Sequence, residues 1–240
     1  MEAKNYTLPG ERLAACARLV SKCRVFADVG TDHALLPAYL LSSGCAGSAV
    51  ISDINPGPLS AGITTLTERG LDKNAIAVLC DGLSGVMGYR PDVIVIAGMG
   101  GETIAEILSR AISSGSLKPD KTSFVLQPMT KAERLRQYLY RSGFFIEAEE
   151  LASEDGRIYV VVLCTYDGIK RECSEVEAYI GASAARRDAL ALKYFLKLKK
   201  AAARRADGLA GAGQKLPAVE EELSAVLDKL VKECGDARLL

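Results

Sequence analysis

The run Val25-Phe26-Ala27-Asp28-Val29-Gly30-Thr31-Asp32-His33-Ala34 constrains this chain more than any other stretch. Apolar residues end in an acid, a single glycine follows, and the next residues are polar enough to open a helix. A parallel strand that hands a nucleotide-like ligand to the helix behind it has this form. Later apolar runs close with the same punctuation: Asp53, then Asp81-Gly82, then Gly98-Met99-Gly100-Gly101. In a parallel sheet these residues share one carboxyl edge, which predicts one ligand pocket along it.

The alternation of patterns predicts that sheet. Strand-like runs at 25–29, 49–52, 75–79, 93–97 and 123–126 are separated by helix-like segments at 34–41, 58–69, 102–113 and 131–142. A helix over 8–22 leads them. The runs 144–150 and 159–165 flank a Glu154-Asp155-Gly156 turn and predict an antiparallel hairpin at the sheet edge. The expected fold class is therefore α/β, a Rossmann-like, doubly wound, seven-stranded sheet. After residue 174 the strand pattern stops. Val219, Leu223, Val226, Leu227, Leu230, Val231 and Cys234 recur at helical spacing, and Leu190, Ala191, Tyr194, Phe195, Leu198 and Ala202 share one face of a helix predicted over 176–206. Gly208, Gly211, Gly213 and Pro217 are expected to part the two helices. The predicted domains are 1–168, the sheet, and 174–240, a coiled-coil-like helical hairpin.

Composition narrows the setting. The seven cysteines are scattered without a C-x-x-C pair, which predicts a reducing cytoplasm and neither disulfides nor a metal site. No charged-then-apolar leader opens the chain, and the apolar stretch near Val93 is too short to span a bilayer. A monomer is expected. Formal net charge is zero, so a polyanionic partner must be met by a local patch.

The pocket residues select a ligand. A dinucleotide fingerprint needs glycines two and five positions after Gly30, where this chain has Asp32 and Leu35. A pyrophosphate would meet the Asp32 carboxylate, which disfavours a nicotinamide dehydrogenase. A ligand with an ammonium group and a cationic sulfur fits better, and S-adenosylmethionine is one. Asp28 and Asp32 are candidates for the ammonium, with Gly30 and Thr31 running beside the methionine portion. Asp53, 25 residues after Asp28, can take the ribose hydroxyls. Asp81 can accept from the adenine amine, with Gly82 beside the ring and Ile54 over one face. Singly, each acid reads equally well as a cap or turn residue. Their ordered recurrence at strand ends favours the cofactor.

The fourth strand is expected beside the first, so Ala97, Gly98, Met99 and Gly100 would face the reacting end of the cofactor, with a helix-opening turn as the plainer alternative. His33, the single histidine, either shapes the cofactor turn or touches a ligand. Gln127, closing the fifth strand, either bonds a base edge or caps the following turn.

Taken together, Gly30-Thr31-Asp32-His33-Ala34 with Leu36-Pro37, Asp53 with Gly57-Pro58, Asp81-Gly82-Leu83, Ile96-Ala97-Gly98-Met99-Gly100-Gly101, Leu126-Gln127-Pro128 and Glu154-Asp155-Gly156-Arg157-Ile158-Tyr159 resemble the bacterial tRNA (adenine 22-N1)-methyltransferase family. The resemblance runs in order from residue 8 to 163. It departs at Met129, where that family often has asparagine. It implies methyl transfer from S-adenosylmethionine to adenine N1 in tRNA, with Gly98, Met99, Gly100 and Gln127 near the reacting atoms. A methyltransferase for another RNA or a small molecule, and a non-catalytic cofactor-binding module, are the competing readings.

A tRNA substrate needs a phosphate track. Arg186, Lys193, Lys197, Lys200 and Arg204 are spaced 7, 4, 3 and 4 apart and predict a basic stripe beside the apolar face of the first hairpin helix. The alternative is a solvated face paired in part with Glu220, Glu221 and Glu222.

Overall fold

Strand β1 (Cys23–Val29) alternates Phe26 and Asp28 toward one face with Ala27 and Val29 toward the other. A strand buried on both sides must lie inside a sheet. In the computed structural model, which describes residues 7–237, it does. The reading of a leader-free amino terminus falls partly on residues 1–6 and lies outside the described residues. The chain divides into two units, Met1–Arg171 and Glu172–Leu240.

In the first unit β1 is joined by β2 (Ala46–Asp53), β3 (Ala75–Leu79), β4 (Val93–Gly100), β5 (Ser123–Thr130), β6 (Phe144–Glu154) and β7 (Arg157–Tyr166). The order is β3-β2-β1-β4-β5-β7-β6, parallel from β3 to β5, with β7 antiparallel to both neighbours. The sheet thus turns back on itself between β1 and β4. Ligands of doubly wound sheets bind at that switch, outside the carboxyl ends of the strands. The predicted adjacency of the first and fourth strands is what creates it.

Helices α1 (Glu11–Leu19), α2 (Leu35–Ser42) and α3 (Pro56–Glu68) follow the Phe26 face. Ala15, Cys16, Leu36 and Leu40 cluster there with Phe26, Val93, Val95 and Val125, while Leu59 and Leu66 pack on Ile51. The first helix is shorter than the predicted 8–22, because Val20 is already extended to lead into β1. The other face carries α4 (Gly101–Ser113) and α5 (Ala132–Ser142), whose buried residues include Ile104, Leu108, Leu135 and Leu139.

One charged pair lies within this apolar packing. The side chains of Arg136 on α5 and Glu149 on β6 are each 1% exposed and are joined by two parallel hydrogen bonds, of 2.6 and 3.0 Å. Removing one partner takes a bidentate countercharge from the other in a low dielectric. Arg136→Ala should cost about 3–5 kcal/mol of stability, measured as a lower denaturation midpoint at constant m-value. A loss below about 1 kcal/mol would mean that water reaches Glu149.

The second unit holds three helices, α6 (Glu175–Ile180), α7 (Ala189–Gly211) and α8 (Ala218–Asp236). The single helix predicted over 176–206 is interrupted. Gly181 ends α6 at φ +64°, a short 3-10 turn follows, and the Asp188 carboxylate accepts from the Leu190 and Ala191 amides to start α7 afresh. Gly208 and Gly211 do not part the hairpin helices. Both lie inside α7, and the chain turns at Gly213, φ +68°, before Pro217 opens α8. Ala191, Tyr194, Phe195 and Ala202 are buried on α7, and Leu223, Leu227, Leu230 and Cys234 on α8. Ion pairs Arg187–Glu233, Lys199–Asp228 and Arg205–Glu220 run in opposite chain directions, so the pair is antiparallel.

Candidate active site

Two cavities open at the carboxyl edge of the sheet and share Gly30. The first, about 310 Å³, is lined by Arg12, Asp28, Thr31, Asp32, His33 and Gly98 among others. The second, about 190 Å³, is lined by Asp53, Ile54, Asp81, Gly82, Met99 and Arg110 among others. Gly30 has φ +77°, which favours glycine, and a Cβ there would stand 2.1 Å from Met99 Cε, so the flexible end of Met99 would have to move aside. The Met99 side chain therefore lies directly over the backbone that links the two cavities. A long ligand with a polar amino-acid end and a flat nucleoside end matches this divided cleft.

The four carboxylates differ in character. Asp28 is buried, and the Thr31 hydroxyl donates to it at 2.5 Å. Burial pushes its pKa up to about 6; the Thr31 hydrogen bond opposes the shift and the charge of Asp53 adds to it. Asp32 and His33 sit exposed at the rim, 3.7 Å apart, before α2 begins at Leu35. Asp53 ends β2 and accepts from the Asn55 amide at 2.7 Å. Asp81, two residues beyond β3, accepts from Arg110 Nη2 at 2.9 Å. Ile54 is 61% exposed at the mouth of the second cavity, open to a flat group.

The glycine turn has a defined cause. β4 continues past Ala97, but its register against β5 slips between Ala97 and Met99 and again before Gly100. Such a bulge lifts one residue out of the ladder and redirects the next. Gly98 is the lifted residue, at φ +83°, and only Arg12 Nη1, at 4.0 Å, stands near where a Cβ would be. Its amide loses a strand partner and donates instead to Gln127 Oε1 at 3.1 Å. This corrects one expectation. Gln127 is fully buried, its oxygen shared by Gly98 and Arg12 and its nitrogen donating to the Pro128 carbonyl at 3.0 Å. It holds the bulge from beneath and does not reach a base edge. Met129 lines the first cavity, where the resemblance expected asparagine.

Arg12 and Arg110 line the cleft without having been singled out in the sequence. Arg12 comes from α1, which no local motif marks, and Arg110 lies in the last turn of α4, nine residues beyond Gly101. Both are brought in by packing alone.

Residues 10–162 match the protein-family model described as a methyltransferase domain. A Bacillus subtilis (strain 168) protein named tRNA (adenine(22)-N(1))-methyltransferase is 33% identical over 167 residues, covering 66% of this chain and 68% of that protein. The chain belongs to the tRNA (adenine 22-N1)-methyltransferase family. The crystal structure of the B. subtilis m1A22 tRNA methyltransferase superposes with a TM-score of 0.75 at 26% identity, over 96% of this chain and 99% of that one. A Streptococcus pneumoniae protein solved in complex with S-adenosyl-L-methionine gives 0.74 at 26% identity, over 92% and 98%. This methyltransferase thus shares its fold with a protein that binds the cofactor inferred from the acids. Among the described residues no cluster of His, Cys, Asp and Glu suits a metal ion, and no helix is long and apolar enough to cross a membrane.

The methyltransferase's second unit revises the basic stripe. Arg186 is not on α7; it precedes the Asp188 cap and pairs with that carboxylate at 2.7 Å. Lys193, Lys197, Lys200 and Arg204 remain, all exposed, within about 60° of arc at 3.6 residues per turn. They lie opposite the buried face of α7, not beside it. The acids of α8 meet other cations, Glu220 taking Arg205 and Asp228 taking Lys199. Lys193, Lys200 and Arg204 form no ion pair among the described residues.

Proposed function

We propose that this chain transfers a methyl group from S-adenosylmethionine to N1 of adenine 22 in tRNA, acting as a monomer in the cytoplasm. The observation that carries the reading is the cleft, in which carboxylates from three successive strand ends line two cavities joined at Gly30. Membership of the family supports the substrate.

Asp28 takes the ammonium group, with Asp32 sharing it at the rim, while Gly30 and Thr31 pass the methionine portion. Asp53 accepts from the ribose hydroxyls. Asp81 accepts from the adenine amine, Gly82 leaves the ring edge clear, and Ile54 covers one face. When bound, S-adenosylmethionine supplies an electrophilic sulfonium methyl. Adenine N1 carries a free lone pair, so no general base is needed to expose it. The protein's task is alignment in a favourable field. Ala97, Gly98, Met99 and Gly100 present a bulged backbone with no side chain at Gly98, against which a flat base can lie. His33 stands at the rim as part of the cofactor turn. In the second unit, Lys193, Lys197, Lys200 and Arg204 supply a phosphate track for the body of the tRNA.

The deciding experiment supplies methyl-labelled S-adenosylmethionine with tRNA transcripts that carry or lack adenine at position 22. Label should enter the first and not the second, and digestion should return it as 1-methyladenosine. Equal labelling of both transcripts, or of neither, overturns the assignment.

A further inference from the structure

The sheet edge opposite the cleft carries a further concavity. It has a volume of about 390 Å³, more than either cavity of the cleft, and lies at the amino ends of β1, β4 and β5. From Arg24 to Gly30 the extended chain rises roughly 20 Å, which separates the two sites. We infer that this hollow binds a compact polyphosphate, either free pyrophosphate or the diphosphate of a nucleotide. The inference does not depend on the methyl-transfer reading. Charge is its first ground. Arg24, Arg90, Lys118 and Lys121 line the hollow against two acids, Asp92 and Asp120. Both acids already serve the fold. Asp92 Oδ2 accepts from the Arg24 and Val25 amides at 2.9 Å each, and its Oδ1 lies 3.5 Å from Arg24 Nη2. Asp120 Oδ1 accepts from the Thr122 amide at 2.8 Å. Arg90, Lys118 and Lys121 are exposed and form no ion pair among the described residues. A chain with no net charge thus gathers cations where they repel one another.

The second ground is the construction of the walls. The buried Thr122 hydroxyl donates to the Pro91 carbonyl at 3.1 Å, and the Ser123 amide donates to the Asp92 carbonyl at 3.0 Å. The segment before β5 is thereby tied to the segment before β4. Arg90 stands at φ +52° and ψ +59°, in the left-handed region and directly before a proline. Glycine adopts that conformation without strain, yet the chain keeps a guanidinium there. Backbone strain held at one residue of a cavity is a mark of ligand sites. The arrangement also selects the ligand. A nucleic-acid backbone is met by cations in a row, as those of α7 are placed. Here they converge from three separate segments on one hollow, and two of them are forked donors. Adjacent phosphates on a small ligand suit that geometry.

The test titrates inorganic pyrophosphate into the full chain by calorimetry at low ionic strength. Pyrophosphate should bind at least about tenfold more tightly than orthophosphate, because adjacent phosphates engage more than one of the cations. Arg90→Gly combined with Lys118→Ala should weaken pyrophosphate binding at least roughly tenfold. The same variant should keep its affinity for S-adenosylmethionine within about twofold of wild type and should not melt earlier, since glycine relaxes the backbone at position 90. ADP distinguishes the two sources. If it binds more tightly than pyrophosphate and is lost in the same variant, the phosphates belong to a nucleotide; the reverse order assigns them to the free ion. Three results would overturn the inference: no preference over orthophosphate, unchanged pyrophosphate affinity in the variant, or a loss of pyrophosphate binding on reversing Lys193, Lys200 and Arg204 of α7 instead. If pyrophosphate does not bind but the Arg90 and Lys118 changes weaken tRNA binding, the hollow is an RNA contact and the inference fails.

Discussion

Asp28→Asn should abolish useful cofactor affinity and yet make the ligand-free protein more stable. The two effects share one cause. An ionised carboxylate buried without a countercharge is unfavourable, and burial has raised the Asp28 pKa from 3.8 to about 6. Because the folded pKa lies above the unfolded one, the favourable contribution of the neutral acid is complete below pH 3.8 and is lost as pH rises through about 6. At neutral pH the shift corresponds to about 3 kcal/mol that the ligand-free protein forgoes. A neutral amide of the same shape forgoes none of it. The melting temperature of the asparagine variant should therefore exceed that of wild type by several degrees at pH 7.5, and the gap should close toward pH 4.

The same variant removes the charge that an arriving ammonium neutralises. Breaking one side of a buried charge pair costs about 2–5 kcal/mol, so the dissociation constant for S-adenosylmethionine should rise at least about 30-fold. In wild type, affinity should fall as pH drops below about 6 and Asp28 takes up a proton; in the asparagine variant the dependence should be flat through that window. Wild-type affinity in Asp28→Asn would remove this residue from the ammonium site. Lost affinity with a lowered melting temperature would make the carboxylate a structural acceptor for Thr31 instead.

What could be read from the chain follows from how locally each feature is encoded. The βα units were legible because strand and helix periods differ and because Gly70, Gly143 and Pro56 punctuate them. Asp28, Asp53 and Asp81 were legible because a strand's end fixes where its last side chains go. Gln127 was half legible: its place at the end of β5 was clear, but its task depends on the β4 bulge, a slip of register that periodicity does not record. Arg12 was not legible, since only the packing of α1 against the hairpin turn brings it to Gly98. The hairpin failed in a different way. Alanine recurs through 181–188 at Ala182, Ala184 and Ala185, so a helix was expected to continue, but Asp188 offers its carboxylate to two amides and starts a new one. That restart is also what takes Arg186 out of the basic stripe.

Reversing three charges, Lys193→Glu, Lys200→Glu and Arg204→Glu together, should weaken tRNA binding by roughly 100-fold at about 0.1 M salt. The residues stand at i, i+7 and i+11 on one exposed face of α7, and Lys197 at i+4 completes the row. Like charges spaced three and four apart on a helix repel by about 0.2–0.5 kcal/mol per pair. The helix pairing does not use Lys193, Lys200 or Arg204: the ion pairs to α8 come from Arg187, just before α7, and from Lys199 and Arg205 on it. A cost without a structural return is what a phosphate track carries until RNA arrives. Each lost phosphate contact removes close to one released counterion, so the slope of log affinity against log salt should flatten by about two to three. Cofactor affinity, set in the first unit, should stay at the wild-type value and serve as the control for folding. An unchanged salt slope would show that the tRNA rests elsewhere and that this face of α7 is merely solvated.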